Sequence, residues 1–296
     1  MPTTIESVAT ATRHPWRRRS AHALADAAAH RALDRAGLAA PDVDLLINAG
    51  LYHDRSLGEP ALAALIQEDI GANPEDPHPG HHGTFSFDVA NGACGMLTGL
   101  RIADGFLRAG TIRHALIVAS DTRPGRRLAP GFPFGAAGAA MVCGWQAGGR
   151  GIQAIRFANP PSGGHGATGD AGLEATVRFA HRRNMLTIVE SPGHARAAAA
   201  HAGDVAEKLL ADHGMTASDV GAVVANPLTA EFLDALATRL GLDRARMVEP
   251  PPGPPVHTAG LGFALAASAA AMRRPDGAML LVSAGAGPVA GAALVR

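Results

Sequence analysis

An internal repeat is the feature that most constrains the fold of this 296-residue chain. Residues 37–48 read GLAAPDVDLLIN, and residues 214–225 read GMTASDVGAVVA. Each copy follows an alanine-rich segment, residues 21–36 in the first case and 197–213 in the second. A glycine just past a helix is a C-terminal stop signal, and the aliphatic run after the polar turn is typical of a buried parallel strand. The repeat therefore predicts two copies of a helix–turn–strand unit.

A second pair of similar segments extends the repeat. Residues 112–120 lead into a small-residue run at 135–142, and residues 277–283 lead into a similar run at 287–295. Repeated strand–helix–strand units with hydrophobic strands predict sheets that are covered by helices on both faces. The sequence thus predicts an α/β protein.

The repeat also predicts how the chain is divided. We expect two pseudo-symmetric βαβ halves of about 150 residues each, residues 1–155 and 156–296, within one shared core. The boundary is expected in the stretch 148–172, which is rich in glycine and proline.

Charge and composition exclude some classes of function. Lysine plus arginine equals aspartate plus glutamate at 26 each, so no net charge favours nucleic acid or a membrane surface. The tight basic run Arg17–Arg19 fits a solvated helix start, or else a contact with phosphate or an acidic carrier. Two cysteines are too few for a disulfide scaffold. Without a signal-peptide pattern or an apolar run near the roughly 20 residues of a membrane span, we expect a cytoplasmic protein.

The segment from residue 85 to residue 125 carries the strongest chemical signal. It predicts a strand, a sharp turn of small residues, an amphipathic helix over about 94–109 and another strand. Cys94 stands at the first turn of that helix, where free N–H groups and the helix dipole favour a thiolate. A nucleophilic cysteine is therefore one interpretation, and a small buried thiol that packs the helix is the other.

This segment resembles the nucleophile helix of the thiolase superfamily, and most closely that of the β-ketoacyl-acyl-carrier-protein synthase III family. Residues 280–296 are similar to the closing glycine-rich strand pair of that family. Residues 134–140 (FGAAGAA) are similar to its Phe-Gly-Asp-Gly-Ala-Gly-Ala element, with Ala136 where the family has aspartate. The resemblance covers nearly the whole chain. It implies the thiolase fold, with two pseudo-symmetric halves in αβαβα layers.

The resemblance implies a Cys–His–Asn triad, and the alignment leaves two residues as alternatives for its nucleophile position. An ungapped alignment from Asp88 to Asp104 puts Ala93 at the nucleophile position and Cys94 one residue later, about 100° further around the helix. Only a one-residue gap restores Cys94 as the nucleophile. Both alternatives remain open from the sequence.

The other two triad positions have exchanged residue types. Asn226 stands where the family has its histidine, and His257 stands where the family has its asparagine. Histidine can act as a base, whereas an asparagine amide only donates or accepts hydrogen bonds. We predict that Cys94, His257 and Asn226 form the catalytic group. We expect the turn at Ala93 and a backbone N–H near Gly285 to bind the substrate oxyanion.

The remaining candidates are weaker. The histidines in residues 78–82 (HPGHH) have no cysteine or carboxylate partner at metal-binding spacing, so we expect a surface loop and no metal site. Cys143 lies in an apolar run and is expected in the core. No phosphate-binding loop or dinucleotide fingerprint is present, so we expect no cofactor other than an acyl-CoA or acyl-carrier-protein substrate.

Two functions of different classes follow from these observations. The first is an acyltransferase similar to β-ketoacyl synthase III, which moves an acyl group through Cys94 to a carbon, oxygen or nitrogen acceptor, in specialised metabolism. The second is a non-catalytic subunit that pairs with an active paralogue or binds a carrier protein. Fold alone does not choose between them.

The resemblance also concerns partners. It implies a homodimer, or a heterodimer with a related synthase. Residues 14–20 bridge a region where the family carries a longer excursion that helps to bind coenzyme A, so a different donor is a further alternative.

Overall fold

The computed structural model describes residues 2–12, 20–53, 61–73, 83–125, 127–146, 151–159, 173–180, 183–227, 229–249, 252–268, 277–286 and 289–296. The run Arg17–Arg19 and the histidines of residues 78–82 lie outside these ranges, as does most of the expected boundary at 148–172. The strands are β1 (Thr3–Thr12), β2 (Leu45–Asn48), β3 (Phe85–Asp88), β4 (His114–Asp121), β5 (Ala137–Trp145), β6 (Ile152–Ala158), β7 (Leu173–Ala180), β8 (Arg183–Glu190), β9 (Val220–Asn226), β10 (Ala278–Ala284) and β11 (Ala290–Val295). The helices are α1 (Ala21–Ala36), α2 (Leu62–Ile70), α3 (Gly95–Arg108), α4 (His194–Ala211), α5 (Ala230–Leu240) and α6 (Gly260–Ser268).

Nine of the described strands form one ladder in the order β3-β2-β4-β5-β1-β6-β11-β10-β9. The ladder consists of two groups of strands that meet at one residue pair, Thr3 with Ile152. In the first group, β2 and β4 are parallel and β4 and β5 antiparallel. In the second group, β9 and β10 are parallel and β10 and β11 antiparallel. The two halves of the chain therefore repeat the same strand arrangement.

The helices lie in three layers around these two groups. Helix α1 packs on β1, β4 and β5, and α2 packs beside it. Helix α4 covers β6, β10 and β11, and α5 packs on α4. Helices α3 and α6 lie between the strand groups, since α3 contacts β2, β4, β5 and β11 while α6 contacts β9, β1 and β5. The predicted αβαβα thiolase fold is confirmed.

The repeated sequence units fold alike. Helices α1 and α4 are each followed by a glycine with positive φ, Gly37 and Gly214. A short 3-10 turn comes next, in which Asp42 or Asp219 accepts a hydrogen bond from the backbone three residues earlier. The division after residue 155 falls inside β6, and the two-half domain assignment stays a prediction.

The central helices depend on small residues for their close packing. Helix α6 is buried on nearly all sides, as expected for a helix that is apolar all round. A methyl group added at Gly99 of α3 would lie 2.9 Å from the Ile117 side chain. A methyl group at Gly262 of α6 would collide with Ala139. Glycine at these positions lets both helices approach the sheets closely and leaves the beginnings of α3 and α6 side by side.

None of the helices in the described ranges is long and apolar enough to cross a membrane.

Candidate active site

Cys94 ends a 3-10 turn, Gly92–Cys94, that leads directly into α3. Its side chain is fully buried, and its Sγ lies 3.7 Å from the carbonyl oxygen of Val289, beside Gly285. Burial raises the pKa of the Cys94 thiol to about 12, so the group is a thiol at neutral pH. The expected thiolate is therefore not favoured, because loss of solvation outweighs the effect of the helix start. The sulfur faces the β10–β11 turn.

Asn226 lies at the end of β9 and is fully buried. Its Nδ2 donates hydrogen bonds to the carbonyl oxygens of Ala93, at 2.8 Å, and of His257, at 3.0 Å. An amide nitrogen carries two protons, so both are already used on backbone carbonyls. In this geometry Asn226 joins the turn before α3 to the segment that carries His257, and its Nδ2 has no proton left for a substrate.

His257 precedes α6 and is buried, with 6% of its surface exposed. Its ring stacks on Phe134 with a centroid separation of 4.3 Å, and on Tyr52 at 5.4 Å. A methyl group built on Gly92 would lie 3.7 Å from His257 Cε1 and 3.8 Å from Nε2. The edge of the imidazole thus faces the turn before α3, at a residue with no side chain.

Burial determines the charge of this histidine. It lowers the pKa of His257 below its usual value, while the negative charge of Asp121 opposes this effect in part. The imidazole is therefore neutral at neutral pH, which is the form that accepts a proton. Within the described part of the chain, neither ring nitrogen makes a hydrogen bond, and the ring is packed by the stacked rings of Phe134 and Tyr52.

The expected oxyanion donors are partly occupied. The N–H of Gly285 donates to the carbonyl of Val289 at 2.8 Å, and the N–H of Cys94 donates to the carbonyl of Asn91 at 3.0 Å. Ala93 is buried, with 3% of its surface exposed, and its carbonyl already accepts from Asn226. The oxyanion role of Ala93 and Gly285 stays a prediction.

The structure brings all five predicted residues into one buried cluster at the beginning of α3. Hydrogen bonds join Ala93, Asn226 and His257, and close packing joins Cys94 to Gly285. Their catalytic roles stay predictions, since proximity alone does not assign them.

Sequence analysis missed four residues that complete the surroundings of His257. Tyr52 and Phe134 stack on its ring, and Asp121 accepts hydrogen bonds from the neighbouring Thr258. The one available signal was Asp121, a charged residue directly after a run of buried strand residues. Tyr52 and Phe134 carry no such signal, because aromatic residues are common in any core.

Metal-binding side chains lie elsewhere. Among the described residues, His22, Asp26 and Asp69 form the one group whose ligand-type atoms all fall within 4.8 Å of one another. These residues belong to α1 and α2, on the outer layer. They do not contact the cluster at the start of α3.

Comparisons with known proteins bear on the family. The family model for 3-oxoacyl-[acyl-carrier-protein] synthase III matches residues 87–159. The β-ketoacyl-[acyl-carrier-protein] synthase III of Rhodospirillum centenum is 30% identical over 234 residues, covering 76% of this chain and 67% of that protein. The chain belongs to the β-ketoacyl-acyl-carrier-protein synthase III family.

Solved structures agree on the fold. The crystal structure of 3-oxoacyl-[acyl-carrier-protein] synthase III from Aquifex aeolicus superimposes with a TM-score of 0.80 at 18% identity and covers 99% of both chains. A priming β-ketosynthase from a polyketide biosynthetic pathway gives a TM-score of 0.77 at 20% identity and covers 99% of this chain and 96% of its own. The resemblance stated from the sequence is thereby confirmed.

The family to which the chain belongs consists of condensing enzymes that transfer acyl groups. Asn226 and His257, for which the sequence predicts exchanged triad positions, both lie next to the turn before α3. That exchange of residue types stays a prediction.

Proposed function

We propose that this chain transfers an acyl group from a thioester to a second nucleophile, with His257 as the general base. The observation that carries the proposal is the buried, neutral imidazole of His257, whose edge faces Gly92 at the beginning of α3. A neutral imidazole in a desolvated site is suited to accept a proton.

The chemistry follows from that placement. The acceptor loses its proton to a ring nitrogen of His257 as it attacks the thioester carbon. The carbon–sulfur bond then breaks, and the imidazolium returns the proton to the departing thiolate. The products are the acylated acceptor and a free thiol, and the base is regenerated.

The acyl group can travel by two routes. In the first, Cys94 is acylated before the acceptor arrives. In the second, the acceptor attacks the bound thioester directly. The packing of Cys94 favours the direct route, because its sulfur lies against Val289 and the thiol is protonated at neutral pH. For acylation, the sulfur must leave the Val289 carbonyl and lose its proton.

The donor and acceptor follow from family likeness. The relatives carry "acyl-carrier-protein" in their names, which supports a CoA or carrier-protein thioester as the donor. The acceptor is a carbon, oxygen or nitrogen nucleophile. The similar fold of the priming β-ketosynthase supports a role in specialised metabolism such as polyketide biosynthesis.

We propose that the chain pairs with a second copy or with a related synthase. Strand β3 lies at the end of the nine-stranded ladder, and Phe85 on it is 59% exposed. An exposed strand edge with a large apolar side chain is suited to pairing with another chain.

The test measures thiol release from a panel of acyl-CoA and acyl-carrier-protein thioesters, with carbon, oxygen and nitrogen acceptors. His257→Ala is expected to reduce transfer by about 10²- to 10⁴-fold, the usual contribution of a general base. His201→Ala is the matched control, because His201 is a partly buried histidine whose Nε2 contacts the carbonyl oxygen of Ala158, outside the cluster. Equal rates for the two variants would overturn the role of His257.

The route is tested by intact mass with Cys94→Ala, and with Cys143→Ala as the matched buried-thiol control. The direct route predicts no acyl adduct and near wild-type transfer in both variants. A stable adduct that disappears only in Cys94→Ala would instead establish the route through Cys94.

A second candidate is a non-catalytic subunit that pairs with an active paralogue or holds a carrier protein. The specific observation is the Asn226 amide, whose two N–H groups are both used on backbone carbonyls. The ungapped alignment that puts Ala93 at the nucleophile position supports the same candidate. If folded protein transfers no acyl group from any donor, this candidate replaces the first. Binding of a carrier protein or of a related synthase, measured with the purified partner, then tests it.

A further inference from the structure

The peptide group between His257 and Thr258 is held from both sides. Its carbonyl oxygen accepts from Asn226 Nδ2 at 3.0 Å and from the N–H of Gly260 at 3.1 Å. Its N–H donates to Asp121 Oδ2 at 2.8 Å, and the Thr258 hydroxyl donates to the same oxygen at 2.6 Å. The backbone that carries the imidazole therefore has a fixed orientation.

We call these hydrogen bonds on the His257–Thr258 peptide the clamp. Asp121 accepts the bonds on its N–H side. It lies at the end of β4 and is 1% exposed. Its other oxygen accepts from the N–H groups of Tyr52, at 2.9 Å, and Leu51, at 3.2 Å. The carboxylate thus joins three segments: the end of β4, the loop after β2 and the segment before α6. All four contacts are donors to the carboxylate, and among the described residues no cationic side chain forms an ion pair with it.

Asp121 is the charged side chain that acts on the His257 imidazole among the described residues. Tyr52 is the other ionisable side chain that the described structure places against the imidazole, whereas Cys94, two residues after Gly92, directs its sulfur to Val289. Burial raises the pKa of each to about 12, with the Asp121 charge adding to the effect on Tyr52, so both are neutral at neutral pH. Among the described residues, Asp121 is therefore the one negative charge that acts on the imidazole and can stabilise an imidazolium.

We infer that Asp121 is a positioning residue for His257: it fixes the His257–Thr258 peptide and supplies the negative charge that stabilises the imidazolium formed during acyl transfer. The catalytic use of that imidazolium rests on the function proposed above, whereas the electrostatic coupling does not. The carboxylate itself need not touch the substrate. Because it lies between three segments, Asp121 can both fix the His257–Thr258 peptide and hold its charge near the imidazole.

The deciding experiment is an NMR titration of the His257 imidazole in the protein without substrate, with His257→Gln used to assign the signal. Asp121→Asn is expected to lower the pKa of His257 by about one unit, the effect of removing a close opposite charge. Asp44→Asn is the matched control, because Asp44, just before β2, is a buried aspartate that accepts two backbone N–H bonds from the beginning of β4. It should leave the titration of His257 unchanged.

Asp121→Ser provides a second variant in case Asp121→Asn does not fold, since serine removes the charge and can still accept a hydrogen bond. An unchanged His257 titration in either folded variant would overturn the inference. Because no substrate is present, this result is independent of whether the protein transfers acyl groups.

The positioning role has a separate readout in Thr258→Val. This variant removes the hydroxyl donor but keeps the Thr258 N–H and the Asp121 charge. We expect kcat to fall several-fold with KM unchanged and the His257 pKa nearly unchanged, and we expect Thr258→Ser to restore kcat. If Thr258→Val has wild-type kcat in an enzyme that does transfer acyl groups, the clamp has no positioning role.

Discussion

Helices α3 and α6 begin in the same way in the two halves of the molecule, yet the first glycine packs on an apolar residue in one half and on a polar residue in the other. Gly95, the first residue of α3, packs on Ala49 just after β2, and a methyl group there would lie 3.0 Å from the Ala49 methyl and carbonyl. Gly260, the first residue of α6, packs on Asn226 at the end of β9, and a methyl group there would overlap Asn226 Oδ1. The backbone arrangement repeats, and the residue beneath the glycine differs.

That difference shows how a duplicated scaffold can hold a single site. The side chain of Ala49 fills space and has no group that forms a hydrogen bond. Asparagine at position 226 binds two backbone carbonyls from different segments and brings the His257 peptide to the turn before α3. The repeat lets a helix start approach a strand end closely in both halves. The side chain at the strand end, Ala49 or Asn226, differs, and that difference decides where the candidate site lies.

The largest expected effect comes from adding a methyl group at the first residue of each helix. Gly260→Ala is expected to lower the free energy of unfolding by about 3 kcal/mol or more, because Asn226 is held by two hydrogen bonds and cannot move aside. Gly95→Ala is expected to cost about 1 to 2 kcal/mol, because the added methyl would meet only a close alanine. Denaturant unfolding of both variants checks this order. Equal losses would show that Asn226 is not rigidly held.

Removing the Asn226 side chain tests the link that it makes between the turn before α3 and the segment that carries His257. Asn226→Ala leaves the buried carbonyls of Ala93 and His257 without this donor, and we expect a loss of about 2 kcal/mol in the free energy of unfolding. The matched variant is Asn48→Ala at the end of β2, which removes one bond to Asp88 and one from the Gly50 N–H. Only Asn226→Ala should also broaden or shift the His257 NMR signals. If both variants shift them, Asn226 does not act locally.

The pH dependence of the free energy of unfolding tests the state of His257, which lies just before α6. Burial lowers the pKa of His257 in the folded protein, so below the unfolded value of about 6.5 the unfolded chain binds the proton more readily. Stability from this residue is therefore present above about pH 6.5 and is lost as the pH falls towards the folded pKa. We expect the free energy of unfolding to decrease between pH 7 and pH 5, as measured by denaturant unfolding.

His194 acts in the same direction, because burial lowers its pKa as well. His257→Gln and His194→Gln should each flatten part of the stability curve, and the double variant more than either. A wild-type slope in His257→Gln would contradict the assignment of a neutral buried imidazole.

The smallest effect concerns the two thiols. Burial raises the pKa of Cys94 to about 12 and raises the pKa of Cys143 as well, so neither is a thiolate at neutral pH. Both should resist a thiol-alkylating reagent in the folded protein and react on unfolding, as measured by intact mass. Rapid labelling of Cys94 alone would indicate an activated thiol and would favour the route through Cys94.

Much of the fold could be predicted from local patterns. The glycine stops at Gly37 and Gly214 and the aliphatic runs after them are local signals, because a helix end and a buried strand each depend on a few neighbouring residues. The small residues at 92–95 likewise predicted a sharp turn before a helix. The outlying position of β3 and the separate β7–β8 hairpin carried no comparable signal.

The sequence by itself determined the repeat, the resemblance to the family and five of the residues that meet at the start of α3. Only the tertiary structure decided what each side chain does there. Whether Asn226 offers its amide to a substrate or to the backbone depends on two carbonyls 133 and 31 residues away in the chain. The coupling of Asp121 to Thr258 spans 137 residues. Contacts over such separations, and the desolvation that keeps Cys94 and His257 neutral, arise only when the layers pack together.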